Sequence, residues 1–218
     1  LSAVKHFIVE AMRNEEIYEF LSKELERAGY GGAEITRTPL GTRVTVYAMK
    51  PGIVIGRRGE SIRDLTKILE ERFGLTNPQV AVAEVEVPEF NPNIMASQIA
   101  SALKRGEHFR RVGFRTLTRI MEAGAQGAEI VISGKLRTQR HRFEKFRAGY
   151  LPKSGDPALK NTRTAVIGVQ LKPGMLGIKV NIVPKEATFP DRTQIIFSEK
   201  ATAAEEVKEE PAPEEVEA

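Results

Sequence analysis

Between residues 51 and 73 the chain runs Pro-Gly-Ile-Val-Ile, then Gly56-Arg57-Arg58-Gly59, then a stripe of Ile62, Leu65, Ile68, Leu69 and Phe73. Spacings of three and four mark the stripe as the buried side of an α-helix, and Gly74 ends it. Two glycines wedged between a short apolar segment and a long amphipathic one impose a tight turn at a helix start. Gly-x-x-Gly alone says little in a chain with 18 glycines, and the pattern occurs here four times, at 29–32, 56–59, 124–127 and 174–177. Only 56–59 encloses basic residues. The other three fit plain roles as helix stops or turns.

The residue types at 56–59 suit an anion. Glycines let another backbone approach without a Cβ in the way. The free N–H groups of the helix opening after Gly59, together with the helix dipole, favour negative charge there. Arg57 and Arg58 add guanidinium forks that match phosphate oxygens. A nucleotide-cradling P-loop is excluded, because no Lys-Ser/Thr pair follows the second glycine. The apolar Ile53, Val54 and Ile55 have two readings: core, which general burial favours, or the lining of a groove that contacts bases.

The flanks complete a unit. Ile17, Phe20, Leu21 and Leu25 predict a helix over 14–28, stopped by Gly29-Tyr30-Gly31-Gly32. Alternation predicts strands over 33–38 and 43–49, turned at Pro39-Leu40-Gly41, and another over 80–87. The order is helix, strand, strand, short helix, glycine loop, helix, strand. With Val54-Ile55-Gly56-Arg57-Arg58-Gly59-Glu60-Ser61-Ile62-Arg63 in that order, the segment resembles a KH domain of the type II form. The resemblance implies a glycine loop that clamps about four backbone nucleotides of a single strand.

Charge is unevenly placed. Residues 1–103 hold 12 Lys/Arg against 14 Asp/Glu, 104–147 hold 12 against 4, 148–198 hold 7 against 3, and 199–218 hold 2 against 8. A polyanion-binding face needs such a concentration; a solvated basic surface is the alternative. Helices are expected from Asn91-Pro92-Asn93 to Lys104 and over 107–123. Four strands follow, at 129–133, near 143–151, at 164–171 and at 178–183, with Pro173-Gly174 turning between the last two. The second half therefore reads as α+β, helices on a small, mostly antiparallel sheet. The glutamate- and proline-rich 199–218 is expected to be disordered, having too little apolar area to offset ordering entropy.

On the helix over 107–123, Phe109, Val112, Gly113, Leu117, Ile120 and Met121 share one side and Arg110, Arg111, Arg115 and Arg119 the other. Only Glu107 lies four positions from any of them, so the row is mostly unpaired within its own helix. Such a row makes sense facing a polyanion, with a solvated helix face as the alternative. Lys135, Arg137, Arg140, Arg142, Lys145 and Arg147 continue the theme, interrupted by Glu144. Phe143 and Phe146 among them either stack on unpaired bases or belong to a core.

Phe109-Arg110-Arg111, Ile120-Met121, Gly124-Ala125-Gln126-Gly127-Ala128-Glu129-Ile130, Ser133-Gly134-Lys135-Leu136 and Gly174-Met175-Leu176-Gly177-Ile178-Lys179-Val180 extend the resemblance. In that order they are similar to the C-terminal domain of small-subunit ribosomal protein number three, in the archaeal rather than the bacterial form. The likeness spans about residues 5–195 and implies a domain plan of 1–90 (KH with preceding N-terminal helices, residues 1–12 being helix-like), 91–198 (ribosomal α+β) and a 199–218 tail. It further implies a place on the head of the small ribosomal subunit, with small-subunit rRNA, messenger RNA and the head proteins numbered ten and fourteen as partners. In the family, arginines at the positions of Arg110 and Arg111 line the path of incoming messenger. Phe114 departs from the pattern, since bacterial relatives carry a lysine there.

Other classes find little support. The chain has no cysteine, which removes disulfides, thiolate nucleophiles and Cys-based zinc sites. His6, His108 and His141 lack metal-ligand or catalytic spacing, and His108 and His141, each flanking arginines, read as phosphate or solvent contacts, so neither an enzyme nor a cofactor is expected. No run of eighteen apolar residues occurs, and residues 1–12 lack the apolar core of a signal peptide, so the expectation is a cytoplasmic protein without membrane contact. The first residue is Leu, which suggests an initiator Met removed or lying outside the sequence. A free-standing KH regulator of messenger RNA is the rival, and it would not require the second-half likeness.

Overall fold

The computed structural model describes residues 3–39 and 41–190, so Leu40 of the expected turn and the acidic 199–218 segment lie outside the described residues. The chain divides into one unit over Leu1–Ala187 and a second over Thr188–Ala218, and every element below belongs to the first.

The first half is built from α1 (Ala3–Glu24), β1 (Tyr30–Thr38), β2 (Gly41–Ala48), α2 (Pro51–Ile55), α3 (Glu60–Phe73) and β3 (Gln79–Glu84). Its sheet has the order β1-β2-β3, with β1 antiparallel and β3 parallel to β2. A parallel neighbour requires a crossover, which α2, the glycine loop and α3 supply. Val44, Val46 and Ala48 alternate inward from β2 and meet Ile17, Leu21 and Leu25 of α1, Val54 of α2 and Leu65, Leu69 and Phe73 of α3.

Two expectations sharpen here. Helix α1 joins the helix-like start over 1–12 to the helix expected from residue 14 in one unbroken run, because no glycine or proline lies between them. Its first turns leave Val4, Phe7, Ile8 and Met12 exposed, so no buried stripe marks them in the sequence. The Ile53-Val54-Ile55 triplet divides between the two readings: Val54 is fully buried, while Ile53 and Ile55 are 47% and 42% exposed beside the loop.

The second half comprises α4 (Pro92–Lys104), α5 (Phe109–Glu122), β4 (Gly127–Gly134), β5 (Arg142–Gly149), α6 (Asp156–Asn161), β6 (Arg163–Leu171) and β7 (Gly174–Val183). The sheet order is β5-β4-β7-β6, antiparallel throughout. Ile130 and Ile132 of β4 and Ile178, Val180 and Ile182 of β7 bury one face against Ile99 of α4 and Val112 and Ile120 of α5. The short α6 has no counterpart among the expected elements; fewer than two turns, opening on Asp156-Pro157, give no periodicity to detect.

Gly113 shows how closely α5 meets β5. A Cβ there would stand 2.6 Å from the Phe146 ring. Alanine in a helix is ordinarily better than glycine by about 0.5–1 kcal/mol, yet overpacking a filled contact costs about 1–3 kcal/mol. Gly113→Ala is therefore expected to lower stability by about 1 kcal/mol in a denaturant titration. A gain would mean that Phe146 has room to yield.

Candidate nucleic-acid interface

The predicted site residues fall into three groups, each held by different elements. The first is the glycine loop. Helix α2 ends at Gly56, whose φ of 72° and ψ of −177° suit glycine alone, and whose Cβ, if present, would collide with Ser61 Oγ. Glycine here serves the fold of the turn itself, a role the sequence reading had given to close approach of a ligand. Arg58 and Gly59 follow with φ of 55° and 76°, and Glu60 opens α3. With glycine as the N-cap, no side chain caps the first amides of α3. Arg57 and Arg58 are exposed and have no carboxylate partner among the described residues.

The concavity at this turn is lined by Arg57, Arg58, Glu60, Arg63, Asp64 and Lys67. Arg63 and Lys67, one turn apart on α3, extend the basic surface, and the sequence reading missed them. Their four-residue spacing on the polar side of the predicted helix was the available signal. Glu60 and Asp64 lie within the same surface and moderate its charge.

The second group is the arginine row of α5. The row is not unpaired: Arg110 Nη2 lies 2.9 Å from Glu144, Arg115 Nη2 lies 2.8 Å from Glu107, and Arg119 Nη2 lies 2.8 Å from Glu89. Arg119 Nε also donates to Glu89 at 3.0 Å, and its Nη1 donates to Gln98 at 3.3 Å. Two of these three acids, Glu89 before α4 and Glu144 on β5, come from outside the helix and its lead-in, which is why helical spacing did not show them. Arg111 alone has no carboxylate partner among the described residues.

These contacts set local electrostatics. The hydrogen bond from Arg110 holds the Glu144 carboxyl below its usual value and raises the Arg110 guanidinium in turn. Burial alone would push Glu107 up, but hydrogen bonds from Arg105 and Arg115 outweigh it and hold Glu107 down. His108 is the N-cap of α5: its Nδ1 accepts from the Arg110 backbone N–H at 3.4 Å, and its ring stacks on Phe109. It thus caps the helix while remaining exposed to solvent, as expected. Arg115 and Arg119 also line a cavity of about 430 Å³ together with Arg27, Lys50 and Arg105, three further cations that the sequence reading did not single out.

The third group is the 135–147 segment. Lys135, Arg137 and Arg140 are exposed in the β4–β5 connection, and Arg142 opens β5. Strand alternation then separates the rest. Glu144 and Phe146 turn toward α5, where Phe146 is buried in edge-to-face contact with Phe114 at 5.1 Å. Phe143, Lys145 and Arg147 take the opposite face. The two phenylalanines thus divide, Phe146 to the core and Phe143, 60% exposed, to the surface.

Among the described residues no group of three or more His, Asp or Glu side chains is placed to hold a metal ion, and no helix is long and apolar enough to cross a membrane.

Comparison with known proteins agrees with this geometry. Residues 16–90 match the KH domain family, and residues 99–182 match the family described as ribosomal protein S3, C-terminal domain. The chain is 54% identical over 188 residues to the small ribosomal subunit protein uS3 of Methanothermobacter thermautotrophicus, covering 86% of this chain and 73% of the relative. It is 53% identical over 192 residues to that of Methanobrevibacter smithii, covering 88% and 77%. Against that of Methanosphaera stadtmanae it is 50% identical over 206 residues, covering 94% and 82%.

Proposed function

Because the chain belongs to the family of small ribosomal subunit protein uS3, we propose that it binds the rRNA of that subunit through its basic second half and faces messenger RNA at the channel where it enters. Membership makes the chain a constituent of the small ribosomal subunit. In this reading residues 1–90 act as the KH half and residues 91–198 as the rRNA-anchoring half. The RNA contacts are Gly56 to Gly59, Arg110, Arg111, Arg115, Arg119, Lys135, Arg137, Arg140, Arg142, Lys145 and Arg147. No catalytic step forms part of it. The exposed apolar side of α1 at Val4, Phe7, Ile8 and Met12 supports a protein neighbour as well, and family likeness points to head proteins ten and fourteen.

The observation that carries the proposal is the solvent face of α5. Exposed ion pairs add little because water and salt screen them, so phosphates can displace Glu89, Glu107 and Glu144 at small cost. Until then the carboxylates hold three guanidinium groups extended in a row. Arg111 stands ready without displacement, and it should contribute most per residue. Arg111→Ala is expected to reduce the slope of log affinity against log salt for an rRNA fragment by about one. Arg115→Ala should reduce it by less, since Glu107 already offsets that charge. A slope unchanged by Arg111→Ala would remove α5 from the interface. Sedimentation of the chain at the top of a sucrose gradient, apart from small subunits, would instead favour the free-standing regulator.

A further inference from the structure

Helices α4 and α5 cover one face of the second sheet. The opposite face carries Lys145 and Arg147 of the proposed RNA contacts, in a pattern with Phe143 and Lys179 that those contacts alone do not define. Across the strands, Val131 of β4 is flanked by Lys145 of β5 and Lys179 of β7, while Ser133 is flanked by Phe143 and Gly177. Gly177 in turn opposes Gly168 of β6. The second row therefore has small residues along its length, one large exposed ring, Phe143, at one edge, and the Met175 side chain lying over Gly168 at the other.

The charge of this face is one-sided. Glu129 is its acid among the described strand residues, and it is buried, bonded to Lys153 Nζ at 2.8 Å and Asn181 Nδ2 at 3.2 Å. Lys145, Arg147 and Lys179 have no carboxylate partner among the described residues. Lys145 Nζ lies over the Phe143 ring, 5.2 Å from its centroid, so the cation holds one face of the ring and a base would stack on the other. A lone exposed ring is ordinary on a surface; what distinguishes Phe143 is its place among cations that no carboxylate offsets, the combination that binds unpaired bases.

We propose that this helix-free sheet face is a second RNA platform, taking a single strand with one base stacked on Phe143 and the phosphates beside it on Lys145 and Lys179. A flat face floored by Ser133 and Gly177 offers no element to enter a duplex groove, whereas every unpaired base has a face that an aromatic ring can stack on. Cations about two strand spacings apart, roughly 10 Å, then track a flexible backbone across the sheet. The proposal rests on the RNA-binding reading but needs neither the glycine loop nor α5.

The chain contains no tryptophan, so Phe143→Trp places a sole tryptophan at the platform, excited selectively at the red edge where its four tyrosines do not absorb. The full-length variant is titrated with an oligouridylate and with a blunt RNA duplex, while anisotropy of labelled RNA records binding anywhere on the chain. Single-stranded RNA is expected to quench the tryptophan by half or more, and the duplex to bind without quenching. Adding Lys145→Gln and Lys179→Gln should raise the quenching midpoint about tenfold and lower its salt slope by about 1.4. Binding by anisotropy with tryptophan unquenched, or equal quenching by duplex, overturns the platform and leaves the ribosomal reading standing. No binding of either RNA at low salt overturns both.

Discussion

Gly56→Val is expected to destabilise the chain by about 3 kcal/mol and to reduce affinity for single-stranded RNA at least tenfold. A φ of 72° with ψ of −177° is a conformation that side chains with a Cβ scarcely adopt. A Cβ at Gly56 would also overlap Ser61 Oγ and stand 2.7 Å from Ser61 Cβ, so relief requires α3 to move. The loop would then open in its weakest part, and Arg57, Arg58 and the first amides of α3 would lose their common direction. Gly59→Asn provides the contrast. Its φ of 76° and ψ of 21° lie where asparagine is tolerated, and a Cβ there meets nothing closer than Ile62 Cγ2 at 3.8 Å. Denaturant midpoints and RNA anisotropy for both variants decide the matter. Equal losses at 56 and 59 would show that the loop responds to any Cβ rather than to the collision with Ser61.

That contrast also marks what the sequence could reveal. The KH order was legible because β2 alternates strictly at Val44, Val46 and Ala48 and α3 carries a full buried stripe. Both periods arise from burial, so they fade where burial does: at the exposed start of α1 and in the short α6. The site was legible by residue type and less so by partner. Four arginines on one side of α5 are visible in any helical projection, but Glu89 and Glu144 reach them only through folding. Helical spacing reports neighbours within one element; charges brought from another element have no signature at a fixed distance along the chain.

Strand parity illustrates the same limit more sharply. Phe143 and Phe146 are three residues apart, an odd number, so on one strand they must face opposite ways. Without the strand's bounds that arithmetic has no starting point, so the sequence leaves both roles open for both rings. The antiparallel register of β5 with β4 resolves them together. It also splits the basic segment, sending Glu144 toward Arg110 and Lys145 and Arg147 away from it. A run that looked like one polycationic stretch is thus two surfaces back to back on one sheet.

Glu129 ties the second of those surfaces to stability, and Glu129→Ala is expected to cost about 2–3 kcal/mol. The residue is 6% exposed. Lys153 stays half in water, so the ion pair itself is worth much less than a sealed one. The larger part of the cost lies with Asn181, whose Oδ1 already lacks a partner in the described structure and whose Nδ2 would lose its acceptor. Burial pushes the Glu129 carboxyl up, but the bonds from Lys153 and Asn181 outweigh it and hold the group below its ordinary value of 4.5. A carboxyl depressed in the folded state stabilises fully above that ordinary value, and the contribution is lost as pH falls through the lower folded value. Wild-type stability should therefore decline on acidification below about pH 4.5, part of the decline belonging to Glu107 and Glu144. Glu129→Gln keeps an acceptor for one donor and removes the titration, so it should cost about 1 kcal/mol near neutral pH and show a shallower acid limb. Unfolding curves for the two proteins that stay parallel from neutral to acid would mean that Glu129 titrates alike folded and unfolded, and that its two donors do not hold the charge.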